Sequence, residues 1–153
     1  MKVEFINPFI QAAREVLESE LGGEAERGNL RLQKSAFTTD EVTAVVGVNG
    51  TVSGVVLYSM SESTAIGIVS RVMGQQFAEL DDLAQSGIGE LGNVITGRAG
   101  VLLSEAGYPS NITPPALVIG KGTMVTTLDL NRLVFPLETE LGSLEVQIVL
   151  KAA

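Results

Sequence analysis

The sequence contains no cysteine and no histidine. Without cysteine there is no disulfide framework and no thiol chemistry. Without histidine as well, the usual zinc sites and imidazole-based acid–base or triad catalysis are excluded. Positive charge is scarce: ten Lys and Arg stand against eighteen Asp and Glu, a formal charge of −8. An acidic chain is a poor partner for nucleic acid or an anionic membrane surface. No apolar run approaches the length needed to span a bilayer. At the N-terminus, Glu4, Asn7 and Pro8 interrupt the stretch where a signal peptide needs unbroken apolar residues. A soluble, cytoplasmic chain without a bound cofactor or metal is therefore expected. With 153 residues, 45% apolar and 18% charged, it is long enough for one good core and short for two, so a single domain over 1–153 is expected.

Glycine, by contrast, is plentiful, and it is concentrated in one unexpected place. Leu80 to Gly107 reads as a long amphipathic helix. Ala84, Ile88, Leu91, Ile95, Ala99, Leu102 and Ala106 recur at steps of three or four and fall within roughly 40° of one line on a helical wheel. On the opposite side stand Ser86, Glu90, Asn93 and Gly97. Asp81 or Asp82 can cap the start, and Gly107 suits a left-handed stop. Yet Gly87, Gly89, Gly92, Gly97 and Gly100 all lie inside, each costing about 0.5–1 kcal/mol against alanine. Close packing against a neighbouring element suits Gly89, Gly92 and Gly100. Gly97, at the centre of the polar stripe, points instead to a partner protein pressing on that face.

The rest of the chain reads as strands and shorter helices. Asn7-Pro8 looks like an N-cap followed by proline at the first helical position, with Phe9, Ala12, Ala13, Val16 and Leu17 forming a stripe that ends at Gly22-Gly23. Leu30, Leu32 and Phe37 mark one weakly patterned strand. Asn49-Gly50 between two valine-rich runs signals a hairpin whose strands are apolar on both faces. Ser61 to Gly74 predicts a second helix, buried through Ala65, Ile68, Val69 and Val72. After Ile112-Thr113-Pro114-Pro115, which proline forces into extended form, strands are expected at Ala116–Gly120, Met124–Leu130, Arg132–Thr139 and Leu144–Leu150. In the last, Glu145, Gln147, Val149 and Lys151 would form a wetter face. The fold class is α+β, with helices packed on a mostly antiparallel sheet.

Gly87-Ile88-Gly89-Glu90-Leu91-Gly92 matches the dinucleotide fingerprint by letter, but that motif needs a strand before it, and here the preceding residues are helical. Gly120-Lys121 is no phosphate loop, since Pro115 and Gly122 occupy the positions of its first glycine and its Ser/Thr. The pair that remains is Glu90 and Asn93, three residues apart on one side of the helix. An amide can aim a water molecule and a carboxylate can meet a partner's lysine. Neither is a nucleophile, so a partner must complete any chemistry.

Ser86-x-x-x-Glu90-x-x-Asn93, followed twenty-two residues later by Pro115, resembles the signature of the CheC/CheX/FliY family of chemotaxis phosphatases. The longer string from Leu80 to Gly100, with Ile112 to Pro115, Asn7 and the Gly47–Ser61 hairpin, is similar to the CheX branch. The resemblance implies a phosphatase acting on the aspartyl phosphate of a CheY-like receiver. It implies that Glu90 docks on a receiver lysine and Asn93 positions the attacking water, with Ser86, Gly97 and Pro115 at the contact. Mg2+ would belong to the receiver, and a homodimer through the sheet is expected. A non-catalytic receiver-binding adaptor is the alternative. Some relatives carry a second Glu/Asn pair on the first helix. Here Glu4-x-x-Asn7 is expected to straddle that helix's start, leaving one active site per chain.

Overall fold

A computed structural model describes residues 2–33, 36–126 and 130–152. Among them are the helices α1 (Val3–Leu21), α2 (Glu62–Met73) and α3 (Asp82–Glu105). Five strands follow α1: β1 (Glu26–Arg27), β2 (Arg31–Gln33), β3 (Ala36–Thr38), β4 (Val42–Gly50) and β5 (Val52–Met60). Five more follow α3: β6 (Ser110–Ile112), β7 (Ala116–Ile119), β8 (Met124–Thr126), β9 (Arg132–Thr139) and β10 (Gly142–Ala152). The main sheet runs β1-β9-β10-β5-β4-β6, with β2 also on β9 and β7 also on β4, and β3 pairs with β8 in a small second sheet. Each of these pairings is antiparallel. This is the expected α+β class, and no helix among the described residues is long and apolar enough to cross a membrane.

The helices cover one face of the sheet. Phe9, Ala13 and Leu17 of α1, Ala65 and Ile68 of α2, and Ile88, Ile95 and Ala99 of α3 meet Val46, Val56, Tyr58, Phe135, Val146 and Ile148 in one core. The opposite face is dry as well at its centre. Thr43, Leu57, Ser59, Gln147 and Val149 are all buried, as the apolar β4 and β5 runs suggest. The expected wetter face of β10 is therefore wet only toward its ends. The segment before β4 is tied across this face, with Asp40 N–H donating to Ser59 Oγ at 3.1 Å.

Three local expectations give way to tertiary packing. Helix α1 begins at Val3 with Pro8 inside it, rather than at Asn7-Pro8. An interior proline costs about 3 kcal/mol by removing one hydrogen bond and crowding the previous turn. The added turn buries Phe5 and Ile6, each worth about 1.5–3 kcal/mol, and sets the Phe5 ring edge-on to Tyr108 at 5.0 Å. Glu4 and Asn7 consequently sit three residues apart within one helix, both exposed. The single strand expected around Leu30, Leu32 and Phe37 is divided into β2 and β3. At the other end, β8 is described over Met124–Thr126, while residues 127–129 of the expected strand lie outside the described residues.

The hairpin forms, but Asn49-Gly50 is not its turn. The β4–β5 register ends at Val48↔Gly54, and Asn49 and Gly50 continue as strand, paired with Asn111 and Ser110 of β6. Gly50 has φ +144°, and a Cβ there would stand 2.9 Å from both the Pro109 carbonyl oxygen and Ser110 Cα. A two-residue turn would have released both residues from pairing, whereas here the β6 edge captures them. Gly50→Ala should cost about 1–3 kcal/mol of stability through strain, while Asn49→Thr should stay within about 0.5 kcal/mol. Chemical denaturation of the two variants checks this, because a turn at Asn49-Gly50 would make both substitutions harmful.

Candidate functional site

Helix α3 starts where the sequence places its cap: the Asp81 carboxylate accepts from Ala84 N–H at 2.8 Å. At the far end Gly107 takes φ +96°. Ala84, Ile88, Leu91, Ile95 and Ala99 are buried as expected. The seam then closes on Leu103 rather than on Leu102 and Ala106, of which the first is half-buried and the second exposed. Steps of four along a 3.6-residue helix drift, and the chain must leave for β6 at this point.

The rotation of α3 about its own axis is fixed from beneath. Gly92 lies so close to the sheet that a Cβ would be 3.3 Å from both Ala44 Cβ and the Tyr58 ring. One turn on, Thr96 Oγ1 donates to the Gly92 carbonyl at 2.7 Å, which leaves Tyr58 OH to donate to Thr96 Oγ1, also at 2.7 Å. Both side chains are fully buried. Burial pushes the Tyr58 phenol well above its ordinary pKa, with the Thr96 hydrogen bond pulling the other way, so it stays a neutral donor. Arg98 Nε to Glu15 Oε2, at 3.1 Å, ties α3 to α1 at the surface.

With the inner side held, the opposite side faces out. Ser86 and Glu90 are exposed and Asn93 is half-buried. Among the described residues, no hydrogen bond or ion pair engages the side chains of these three. Ser86, Glu90 and Pro115 meet at one open depression of about 490 Å³, which Gly89 and Leu117 also line. Pro115 packs on Gly89, its Cγ 3.6 Å from where a Cβ would be. Asn93 follows Glu90 by three residues on the same face. Gly97 comes one turn later, with only Ile112 Cδ1 within 4 Å of a Cβ at 3.8 Å.

The glycines thus divide by cause, not quite as expected. Gly92 does serve close packing, whereas at Gly89 a Cβ would make only ordinary contact with Pro115. Gly100 serves none, since a Cβ there would meet nothing within 4 Å. The tightest contact belongs to Gly87, where a Cβ would collide with Val69 Cγ2 and lie 3.0 Å from Met73 Sδ of α2. Sequence reasoning also passed over Tyr58 and Thr96. The available signal was two hydroxyls on otherwise apolar surfaces, which need each other once buried.

Comparison with known proteins agrees with this geometry. A family model described as chemotaxis phosphatase CheX matches residues 42–138. The CheY-P phosphatase CheX of Thermotoga maritima is 34% identical over 122 residues, 79% of each chain. The chain belongs to the CheX family. Among solved structures, a CheC-like superfamily protein from Shewanella sp. PV-4 superposes with TM-score 0.89 at 27% identity, covering 99% of this chain and 100% of that one. The CheX–CheY–BeF3–Mg2+ complex from Borrelia burgdorferi gives TM-score 0.82 at 27% identity, with 98% and 99% covered. The matched stretch of this CheX-family chain holds Ser86, Glu90, Asn93, Gly97 and Pro115, whereas α1 lies outside it.

The two kinds of glycine separate in a stability measurement. Gly97→Ala should raise stability by about 0.5–1 kcal/mol, because alanine favours helix and has fewer unfolded conformations to lose. Gly87→Ala should lose about 1–3 kcal/mol by overpacking against the β-branched Val69. Thermal unfolding of both variants checks the contrast, and a destabilised Gly97→Ala would show that this glycine serves internal packing.

Proposed function

We propose that this chain dephosphorylates the aspartyl phosphate of a CheY-like receiver in chemotaxis, using Glu90 and Asn93 on the outer face of α3. The observation that carries the reading is the pair itself. A carboxylate and an amide sit three residues apart on a face thinned to Ser86 and Gly97 at its ends, with no hydrogen-bond or ion-pair partner among the described residues. Groups left unengaged on a rigid helix are available to a second protein's site without first breaking internal bonds. The family and the receiver complex of the Borrelia relative support the partner's identity.

Hydrolysis of an aspartyl phosphate asks for little covalent help. Water attacks phosphorus, the bond from phosphorus to the aspartate oxygen breaks, and carboxylate and inorganic phosphate leave. What a second protein can add is in-line placement of that water. In this reading the Asn93 amide reaches into the receiver's site and hydrogen-bonds the water, while Glu90 pairs with a receiver lysine and fixes the register. Mg2+ held by the receiver would offset negative charge on the phosphoryl group. The chain needs no histidine, thiol or metal of its own for either task. Ser86 and Gly97 keep the approach low, and Pro115 shapes the rim of the depression beside Glu90.

We keep the count at one site per chain although Glu4 and Asn7 share a helix. Gln11 follows Asn7 by one turn and hydrogen-bonds Glu15 at 2.8 Å, where Asn93 is followed by bare Gly97. We also infer a homodimer through the sheet. Leu32 and Ile119, on strands at opposite edges of that sheet, are 64% and 52% exposed, and exposed apolar side chains on unpaired edges favour pairing with a second copy. Sedimentation at micromolar concentration should report twice the chain mass, and a monomer would count against it.

Asn93→Ala should lower kcat for phosphate release by an amount equivalent to about 2–4 kcal/mol in the barrier, by analogy with removing one transition-state hydrogen-bond donor. Its melting temperature should barely move. Glu90→Lys should instead weaken binding, since it sets like charges against each other, and wild-type affinity should fall as salt rises. Phosphate-release assays on a phosphorylated CheY-like receiver, with titrations at two ionic strengths, test both. A well-folded Asn93→Ala that keeps full activity would remove the assigned role.

A further inference from the structure

The outer face of α3 has an apolar flank that the reading above does not use. Leu83, Val94 and Val101 lie about 50–70° round the helix from the middle of the Ser86–Gly97 stripe and are 50%, 40% and 48% exposed. Scattered exposed aliphatics are ordinary on a protein surface, but aliphatics gathered round one groove beside a site are not. Leu83 and Val94 face Val72 and Met73 of α2 across a groove of about 340 Å³, and Met73 is itself 38% exposed. The groove exists because residue 87 has no side chain. Gly87 lets α2 close in until Val69 and Met73 touch the helix backbone, leaving a channel with aliphatic walls.

Two features indicate what fills it. Ser86 and Glu90 line this groove and also the depression that holds Pro115, so the apolar surface continues the catalytic face without a break. Its rims are acidic, with Glu90 on α3 and Glu20 near the end of α1. A second copy of a chain carrying −8 would bring like charge to those rims. We propose that the α2–α3 groove is a second docking contact for the phosphorylated receiver, taking one aliphatic or aromatic side chain from a receiver segment that also carries lysine or arginine. The inference rests on the receiver reading above and divides the labour within it: Asn93 governs the chemical step, while the groove supplies affinity and selects among receivers.

Leu83→Asp tests this with little risk to folding, because Leu83 is half exposed in the first turn of α3, where an acidic residue suits the helix dipole. In phosphate release, Leu83→Asp should raise KM about tenfold with kcat within about twofold, as expected for losing one anchor residue of an interface. Leu83→Met should keep the wild-type KM, and Glu20→Lys should raise KM a few-fold at low salt with the effect fading at high salt. Titration of a beryllofluoride-loaded receiver into Asn93→Ala, with and without Leu83→Asp, gives the same comparison without turnover. An unchanged KM and affinity in folded Leu83→Asp, while the wild type is active, overturns the groove alone. A loss of kcat at constant KM overturns it too, as does a change of oligomeric state on sedimentation, which would assign the groove to a second copy. A wild type that neither binds the loaded receiver nor releases phosphate overturns the receiver reading and the groove with it.

Discussion

Helix α3 is locked against the sheet by Gly92 lying on Ala44 and the Tyr58 ring, with the Tyr58–Thr96–Gly92 hydrogen-bond chain across the same contact. That contact decides which way the helix faces. A rotation of one residue, about 100°, would carry Glu90 and Asn93 from the outer surface toward the flank. The geometry leaves little room for such a slip, because any side chain at position 92 would have to push the ring or the helix aside. Two hydroxyls buried without each other would each lose their bond to water, a penalty of about 1–3 kcal/mol apiece. Rigidity under the helix is thus the precondition for any site built on its far side, where a misplacement of an ångström is enough to cost activity.

The neighbours of α3 then shape the two margins of its outer face. On one, Pro115 rests on Gly89, so the chain leaving β6 lines the depression beside Glu90. On the other, α2 approaches over Gly87 and forms the aliphatic groove. The same residue type therefore does three jobs along one helix. It admits the sheet at 92 and helix α2 at 87, and it keeps the surface low at 97. The summed helix-propensity cost of these glycines is a few kcal/mol, and burial of the aliphatic seam between Ala84 and Leu103 offsets it. Glu90 is left exposed and Asn93 half-buried on a stiff helix, with an open depression along one margin and a groove along the other.

Much of this was legible in the residues. The limits of α3, its cap at Asp81, the seam from Ala84 to Ala99, the stripe from Ser86 to Gly97 and helix α2 with Ser61 and Gly74 at its ends all follow from 3.6-residue periodicity and capping chemistry. These are local rules, and the structure obeys them. The α+β class followed from the order of such segments. Where expectation and structure part, a distant segment intervened. Local cost alone places a helix start at Asn7-Pro8, whereas Phe5 and Ile6 gain a core that includes Tyr108, about a hundred residues away. Asn49-Gly50 suits a turn when its two flanking strands stand alone, whereas β6 offers both residues pairing partners.

By itself, then, the sequence determined the buried seam of α3 from Ala84 to Ala99, which face of α3 is polar, and that Glu90 and Asn93 share that face. These are consequences of side-chain type and spacing along one element. Only the tertiary structure decided which glycine serves which neighbour, that Tyr58 and Thr96 hold the helix, that the middle of β10 is dry on both sides, and that α2 opens a groove beside the site. Each of those depends on which surface of another element comes within van der Waals distance. Separations along the chain carry no record of that distance until the sheet has set the elements side by side.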